Sequence, residues 1–344
     1  MLYIRADGNA QIGTGHIMRC LSIAHAVREL GHSCMFITAD ESMTALLENH
    51  GFQFICLDSI WNDLEQEIGQ MEELIRQMEV HLLLVDSYYA TENYLRRLHQ
   101  LTHVAYMDDL NAFACPCPTI INYNVYAAQW NYQERYPHRK LLLGPQYVPL
   151  RKEFCHIGRR NVEKEVHNVL ISTGGSDPTN IAGRAVYAAL QTKMFTDIVF
   201  HIVAGCFNQH LAMLQSLEQT YSNIKIHKNV QSMSELMLAC DLAISAAGST
   251  LYELCACGTP TVTYVLADNQ IPGAAAFELA EVMLYAGDAR TDPGFIDSLL
   301  DKLSILSQDH LLRMKMSDKM QNLVDGNGAK RLALALLNKF VGYQ

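Results

Sequence analysis

Several common signatures are missing from this 344-residue sequence, and each absence narrows what the chain does. No apolar stretch approaches the roughly 20 residues of a membrane-spanning helix, and Met1 runs directly into a short strand pattern instead of a leader. A cytoplasmic protein is expected. Basic residues are in deficit, 26 Lys and Arg against 36 Asp and Glu, for a formal net charge of −10. Such a chain has no general attraction for nucleic acid or an anionic membrane, so neither is expected as a partner. Anionic ligands have to be held locally. The ten cysteines include no C-x-x-C pair, since Cys115 and Cys117 flank a proline while Cys255 and Cys257 sit in an apolar run. Buried, reduced thiols are the expectation. No two aspartates are separated by a single residue, although Asp108 and Asp109 are adjacent, so no D-x-D motif is available to hold a metal–diphosphate complex. Neither the G-x-x-x-x-G-K-[ST] loop nor a complete G-x-G-x-x-G fingerprint occurs, which demotes ATPase and nicotinamide enzyme to minor alternatives. No metal and no cofactor are called for.

What is present is an ordinary globular composition, 49% hydrophobic and 18% charged, in a chain long enough for two cores. Strand 2–6 breaks at Asp7, Gly8 and Asn9, and a helix then runs to about residue 30, with Ile17, Leu21, Ala24 and Val27 as its buried stripe. Strands at 33–38, 53–57, 81–85 and 103–107 alternate with helices near 43–50 and 67–78. Residues 141–153, with Gly144, Pro145 and Pro149, interrupt the alternation, and the mixed-charge stretch 159–165 follows. A second alternation has strands at 168–172, 198–203, 224–227, 242–245 and 261–265. The expectation is an α/β protein of two Rossmann-like domains, residues 1–150 and 151–344, each with a parallel sheet. The last helices, near 295–306 and 329–340, are candidates to pack back on the first domain.

Three strand-to-helix junctions carry small residues: QIGTGH with Gly13 and Gly15, STGGSDP with Gly174 and Gly175, and SAAGSTLYE with Gly248. In a parallel sheet such junctions emerge at the carboxyl ends of strands, where these folds take their ligands. Glycine permits close backbone approach, and a helix N-terminus offers free N–H groups to a phosphate. A purely structural turn explains any one junction equally well. His16 follows Gly15 at the helix entrance, a placement that suits a general base: an imidazole with an ordinary pKa near 6.5 can take a proton from water.

The segment DLAISAAGSTLYELCACGTPTVTYVLADNQ, residues 241–270, resembles the UDP-binding region of the GT-B superfamily, the group that contains MurG. With the opening RADGNAQIGTGHIMRC, the resemblance narrows to the PseG family, the hydrolases of UDP-2,4-diacetamido-2,4,6-trideoxy-β-L-altropyranose in pseudaminic acid biosynthesis. It implies a GT-B arrangement with a UDP-sugar in an interdomain cleft. It further implies that Glu253 accepts from the ribose hydroxyls, with Ser249 and Thr250 near the diphosphate and Gly248 and Gln270 in the same site. Thr250-x-x-Glu253 also reads as a capping box with no ligand involved.

At the reacting end, the resemblance implies that His16 activates water for attack on the anomeric carbon, releasing UDP with inversion, and that Tyr88 and Asn269 orient the sugar or the water. One departure stands out. The family pattern D-H-Y-G is here Asp86-Ser87-Tyr88-Tyr89, which bears on the shape of the sugar pocket. An inverting glycosyltransferase and a non-catalytic nucleotide-sugar binder are the alternative functions. The oligomeric state is not legible.

Overall fold

The computed structural model describes residues 1–9, 11–205 and 207–338. The chain divides into two compact units: Met1–Lys152 together with the segment that begins at Asn327, and Glu153–Gly326.

The first unit runs β1 (Leu2–Ala6), α1 (Gly15–Glu29), β2 (Cys34–Thr38), α2 (Thr44–Asn49), β3 (Gln53–Cys56), α3 (Ile68–Gln77) and β4 (Leu82–Asp86). It continues through α4 (Glu92–His99), β5 (His103–Met107), β6 (Thr119–Asn122), α5 (Tyr132–Arg135) and β7 (Lys140–Leu143). Its seven strands are parallel in the order β3-β2-β1-β4-β5-β6-β7. Every residue of β1 and β4 is buried, as expected of central strands covered on both faces, whereas edge strand β3 is partly open.

The second unit runs β8 (Asn168–Ser172), α6 (Ile181–Leu190), β9 (Val199–Ala204), α7 (Leu211–Thr220), β10 (Ile224–Lys228), α8 (Met233–Ala239) and β11 (Leu242–Ala246). Then come α9 (Thr250–Cys257), β12 (Thr261–Val265), α10 (Ile271–Leu279), β13 (Leu284–Asp288), α11 (Phe295–Gln308) and α12 (His310–Leu323). Its six parallel strands follow the order β10-β9-β8-β11-β12-β13. The final described helix, α13 (Gly328–Leu337), packs on α1 within the first unit. The expected end of that helix, Lys339 and Phe340, lies outside the described residues.

Both sheets change direction once, between β1 and β4 and between β8 and β11. At such a switch point the loops leaving adjacent strands diverge and open a crevice at the carboxyl edge. The chain places QIGTGH and VDSYY at the first of these and STGGSDP and SAAGS at the second.

Three strands differ from the sequence expectation. Residues 141–153 do not wholly interrupt the first alternation, because Lys140–Leu143 is the edge strand of that sheet beside Thr119–Asn122. Both strands are short, and Pro116, Pro118 and Pro137 break the pattern just before them. β13 was also not anticipated: its Gly287 has φ +118° and its register against β12 shifts, which breaks the apolar run. The nine cysteines among the described residues are free thiols, seven of them buried. Burial pushes Cys34 and Cys240 up to about 12, so these thiols stay protonated at neutral pH.

Candidate active site

The loop after β1 is built to deliver one histidine. Asn9 Oδ1 accepts from the N–H groups of Gln11 and Ile12 at 2.9 and 3.0 Å, and Asn9 N–H donates to the Gly13 carbonyl at 3.2 Å. Gly13 turns the chain with φ +74°. Helix α1 then starts at Gly15, and His16, 6% exposed, is its second residue.

His16 Nδ1 lies 2.7 Å from Asp86 Oδ1, at the end of β4. Strand register brings them together: Ala6, the last residue of β1, pairs with Asp86. A buried carboxylate at Nδ1 makes that nitrogen the donor, which leaves the Nε2 lone pair to accept a proton. Arg19, one helical turn along α1, donates from Nε to Asp86 Oδ2 at 2.6 Å and also bonds Asp86 Oδ1 through Nη2. Its Nη1 reaches the Tyr123 hydroxyl and Asp109 Oδ2, each at 2.7 Å. Burial alone would raise the Asp86 carboxyl, but the Arg19 charge and the His16 contact outweigh it and hold the group well below the usual carboxylate range. Asp86 is therefore a permanent anion behind the imidazole.

The Tyr88 ring meets the His16 ring edge-on, with centroids 4.5 Å apart and planes at 79°. Tyr88 is 40% exposed. The two departures from the family pattern have local roles. Ser87 is buried and its Oγ accepts from the Tyr89 N–H at 3.1 Å, while Tyr89 packs edge-on against Trp61 at 5.3 Å.

In the second unit, Gly174, Gly175, Gly248, Thr250 and Gln270 line one cavity of about 290 Å³. Ser249 is the N-cap of α9 and makes no side-chain cap bond, and Thr250 is the first helical residue. Glu253 thus sits one position too far along for a capping box with Ser249, so that alternative reading does not hold. Asn269 is exposed in the short turn Asp268–Gln270, where Gln270 Oε1 accepts from Leu266 N–H at 2.8 Å. The STGGSDP junction differs from the other two. Asp177, fully buried, accepts from the N–H groups of Ile181 and Ala182 at 2.7 and 3.1 Å, so a carboxylate already occupies the positive end of α6. A larger space of about 1090 Å³ lies between residues 159–165 and α12 and contains none of the junction residues.

Asp86, Arg19, Asp109 and Tyr123 were not singled out from the sequence. Arg19 carried a signal, since i and i+3 share a helix face. The others lie 67 to 104 residues from Arg19 and meet it only through strand order.

Two α/β units, each with its small-residue junctions at the switch point of a parallel sheet, are the GT-B class of fold. The solved structure of MurG from Acinetobacter baumannii matches with a TM-score of 0.73 over 98% of this chain and 99% of that one, at 15% identity. Residues 169–332 match the glycosyltransferase family 28 C-terminal domain. More particularly, the chain is similar to the UDP-2,4-diacetamido-2,4,6-trideoxy-β-L-altropyranose hydrolase of Campylobacter jejuni, 24% identical over 252 residues, 72% of this chain and 85% of that protein. It is similar as well to the spore coat polysaccharide biosynthesis protein SpsG of Bacillus subtilis, 24% identical over 342 residues, 97% and 96% of the two chains. An uncharacterized protein of Methanocaldococcus jannaschii is 28% identical over 282 residues, 78% of this chain but only 56% of that longer protein.

Proposed function

We propose that the chain is a UDP-sugar hydrolase. Its substrate is a UDP-linked 2,4-diacetamido-2,4,6-trideoxy sugar, as in the named reaction of the Campylobacter relative, within nonulosonate biosynthesis. The observation that carries the reading is the His16–Asp86 pair, with Arg19 fixing the carboxylate, because it fixes an imidazole with Nε2 as the accepting atom. Nε2 takes a proton from water as the water oxygen bonds to the anomeric carbon. The bond between that carbon and the UDP oxygen breaks with its electrons going to UDP, so the sugar inverts. The proton on His16 then passes to solvent. General-base help contributes about 10²- to 10⁴-fold, and the rest of the rate enhancement comes from positioning and from stabilising the leaving diphosphate.

The cavity of the second unit takes the UDP. Nothing in the fold requires glycine at 15 or 248, since neither has a positive φ and an added Cβ at either meets no atom within 4 Å. Open backbone at these points supports close approach of a ligand, and Thr250 and Gln270 supply polar groups on the same cavity wall. Glu253 and Ser249 serve the ribose and diphosphate, and Tyr88 and Asn269 orient the sugar and water. Diphosphate charge is met by the uncapped start of α9 without a metal. The protein works in the cytoplasm, where sugar nucleotides are made.

A second reading, inverting glycosyl transfer, is favoured by the family 28 match, and in it His16 deprotonates an acceptor hydroxyl. Purified protein incubated with the UDP-sugar alone in ¹⁸O-labelled water, followed by NMR at the anomeric proton, separates the two. Hydrolysis gives stoichiometric UDP and a free, inverted sugar carrying label at its anomeric oxygen. Retention of the UDP-sugar until a hydroxyl acceptor is added would sink the hydrolase reading.

A further inference from the structure

The ends of four neighbouring strands converge on Arg19. β1 leads to His16, β4 ends at Asp86, β5 leads to Asp108 and Asp109, and β6 leads to Tyr123. Arg19 is held by two carboxylates from adjacent strands, Asp86 at 2.6 Å and Asp109 at 2.7 Å, which are 0% and 5% exposed. Asp109 is itself held, with Oδ1 accepting from Asn124 Nδ2 at 3.0 Å and its carbonyl accepting from the Tyr126 hydroxyl at 3.4 Å. A second carboxylate is not in itself a mark of function, since Arg5 is also held by two, Asp7 and Glu67, but at Arg19 a histidine stands alongside. The second has a consequence for the imidazole, because Arg19 Nη2 stands only 3.1 Å from His16 Nδ1.

The groups facing His16 are Asp86 and Tyr88 from the end of β4 and Arg19 from its own helix, with Asp109, Tyr123 and Cys20 one contact further away. Burial pushes Cys20 and Tyr123 well above their usual ranges, so both are neutral at pH 7. Asp108 turns its carboxylate to the Asn111 N–H and the Tyr132 hydroxyl, so the charges in contact with Arg19 are two carboxylates, which leaves one net negative charge when the imidazole is neutral and none when it is protonated. Remove Asp109, and the same protonation takes the cluster from neutral to positive, with Asp86 left as the one carboxylate in contact with both the guanidinium and the imidazolium. In a poorly solvated site that difference is large.

We infer that Asp109 is a positioning residue that acts on His16 through Arg19, drawing the guanidinium charge away from the imidazole so that the ring can accept a proton. This rests on His16 being the base of the proposed hydrolysis. Asp109 does not touch the imidazole, and its effect is transmitted by the two ends of one guanidinium.

The test uses the full chain with Asp109→Asn and Asp109→Ser, two neutral replacements with different packing, and Asp109→Glu as the charge-keeping control. The ¹⁵N resonances of the His16 ring are titrated by NMR without substrate, and kcat and KM for UDP-sugar cleavage are followed against pH. Both neutral variants should move the His16 titration to lower pH and move the acidic limb of the kcat profile with it. Plateau kcat should fall tenfold or more with KM little changed, and Asp109→Glu should restore both readouts in part. An unmoved His16 titration in whichever neutral variant folds and binds UDP normally would overturn the inference. A moved titration in a protein whose wild type cleaves no UDP-sugar would uphold the coupling and overturn only the assigned reaction.

Discussion

His16 Nδ1 and Asp86 Oδ1 are 2.7 Å apart across 70 residues of sequence, and the contact sets which imidazole nitrogen is free to work. Asp86→Asn is predicted to lower kcat by about 10²- to 10⁴-fold, because an amide can present its N–H to Nδ1 and favour the wrong tautomer. UDP affinity, measured by calorimetry, should be unchanged, as it should for His16→Ala. The substitution also removes one of the two carboxylates from Arg19, whose side chain is 11% exposed and keeps Asp109, so the unfolding free energy from urea melts should fall by about 3 kcal/mol or less. Asp86 sits below its unfolded value near 3.9, so its stabilisation is in place above that pH and is lost only as pH falls towards the lower folded value. In wild type the Asp86 charge itself persists in acid that protonates surface carboxylates, while its contribution to stability declines over that same range.

Two glycines ten residues apart should respond in opposite ways. Gly248 has room for a methyl group, so Gly248→Ala should change stability by less than about 0.5 kcal/mol yet weaken UDP binding about tenfold or more, about 1.4 kcal/mol. Gly258 ends α9 with φ +63°, and an added Cβ would lie 2.7 Å from Ser317 Oγ. Gly258→Ala should cost more than about 1 kcal/mol of stability and leave the UDP affinity of the folded protein alone. Thermal unfolding and calorimetric titration of both variants check the pair, and equal losses of UDP affinity would contradict it.

His201 on β9 and His227 on β10 stack with centroids 5.2 Å apart, and His201 Nδ1 lies 3.0 Å from His227 Nε2. Burial, and then the positive charges of His227 and Lys225, bring His201 down to about 4. An unfolded histidine binds its proton below about pH 6.5, so between there and the folded value the unfolded chain holds the extra proton. Stability should fall as pH drops through that window. Urea midpoints at about pH 7 and about pH 5 should differ more in wild type than in His201→Phe, and an equal difference would refute the sign.

How much of this was legible follows from the distances involved. His16 stood out because a glycine junction, a strand end and a helix start all fall within a few residues, and the three junctions showed for the same reason. The expected domains were α/β because full-length strands such as Leu82–Asp86 are long enough to read as apolar runs. β6 and β7 escaped because four residues beside prolines show no period. Asp86 was read only as part of a motif and Asp109 only as one of an adjacent pair, since the order β1-β4-β5 that gathers them is a property of the sheet. Nor could a sequence pattern show that Asp177 spends its carboxylate on α6.

The first unit is not finished when its last strand is made. α13 lies against α1, and Gly328 is so close to the chain before it that an added Cβ would sit 2.1 Å from the Val148 carbonyl oxygen. On the ribosome, the helix that carries His16 therefore emerges about three hundred residues before its packing partner. The second unit can form from contiguous chain in the interval, whereas the first waits on contacts of very long sequence separation, which are slow to close. The half that holds the candidate base is, in synthesis, the half completed last.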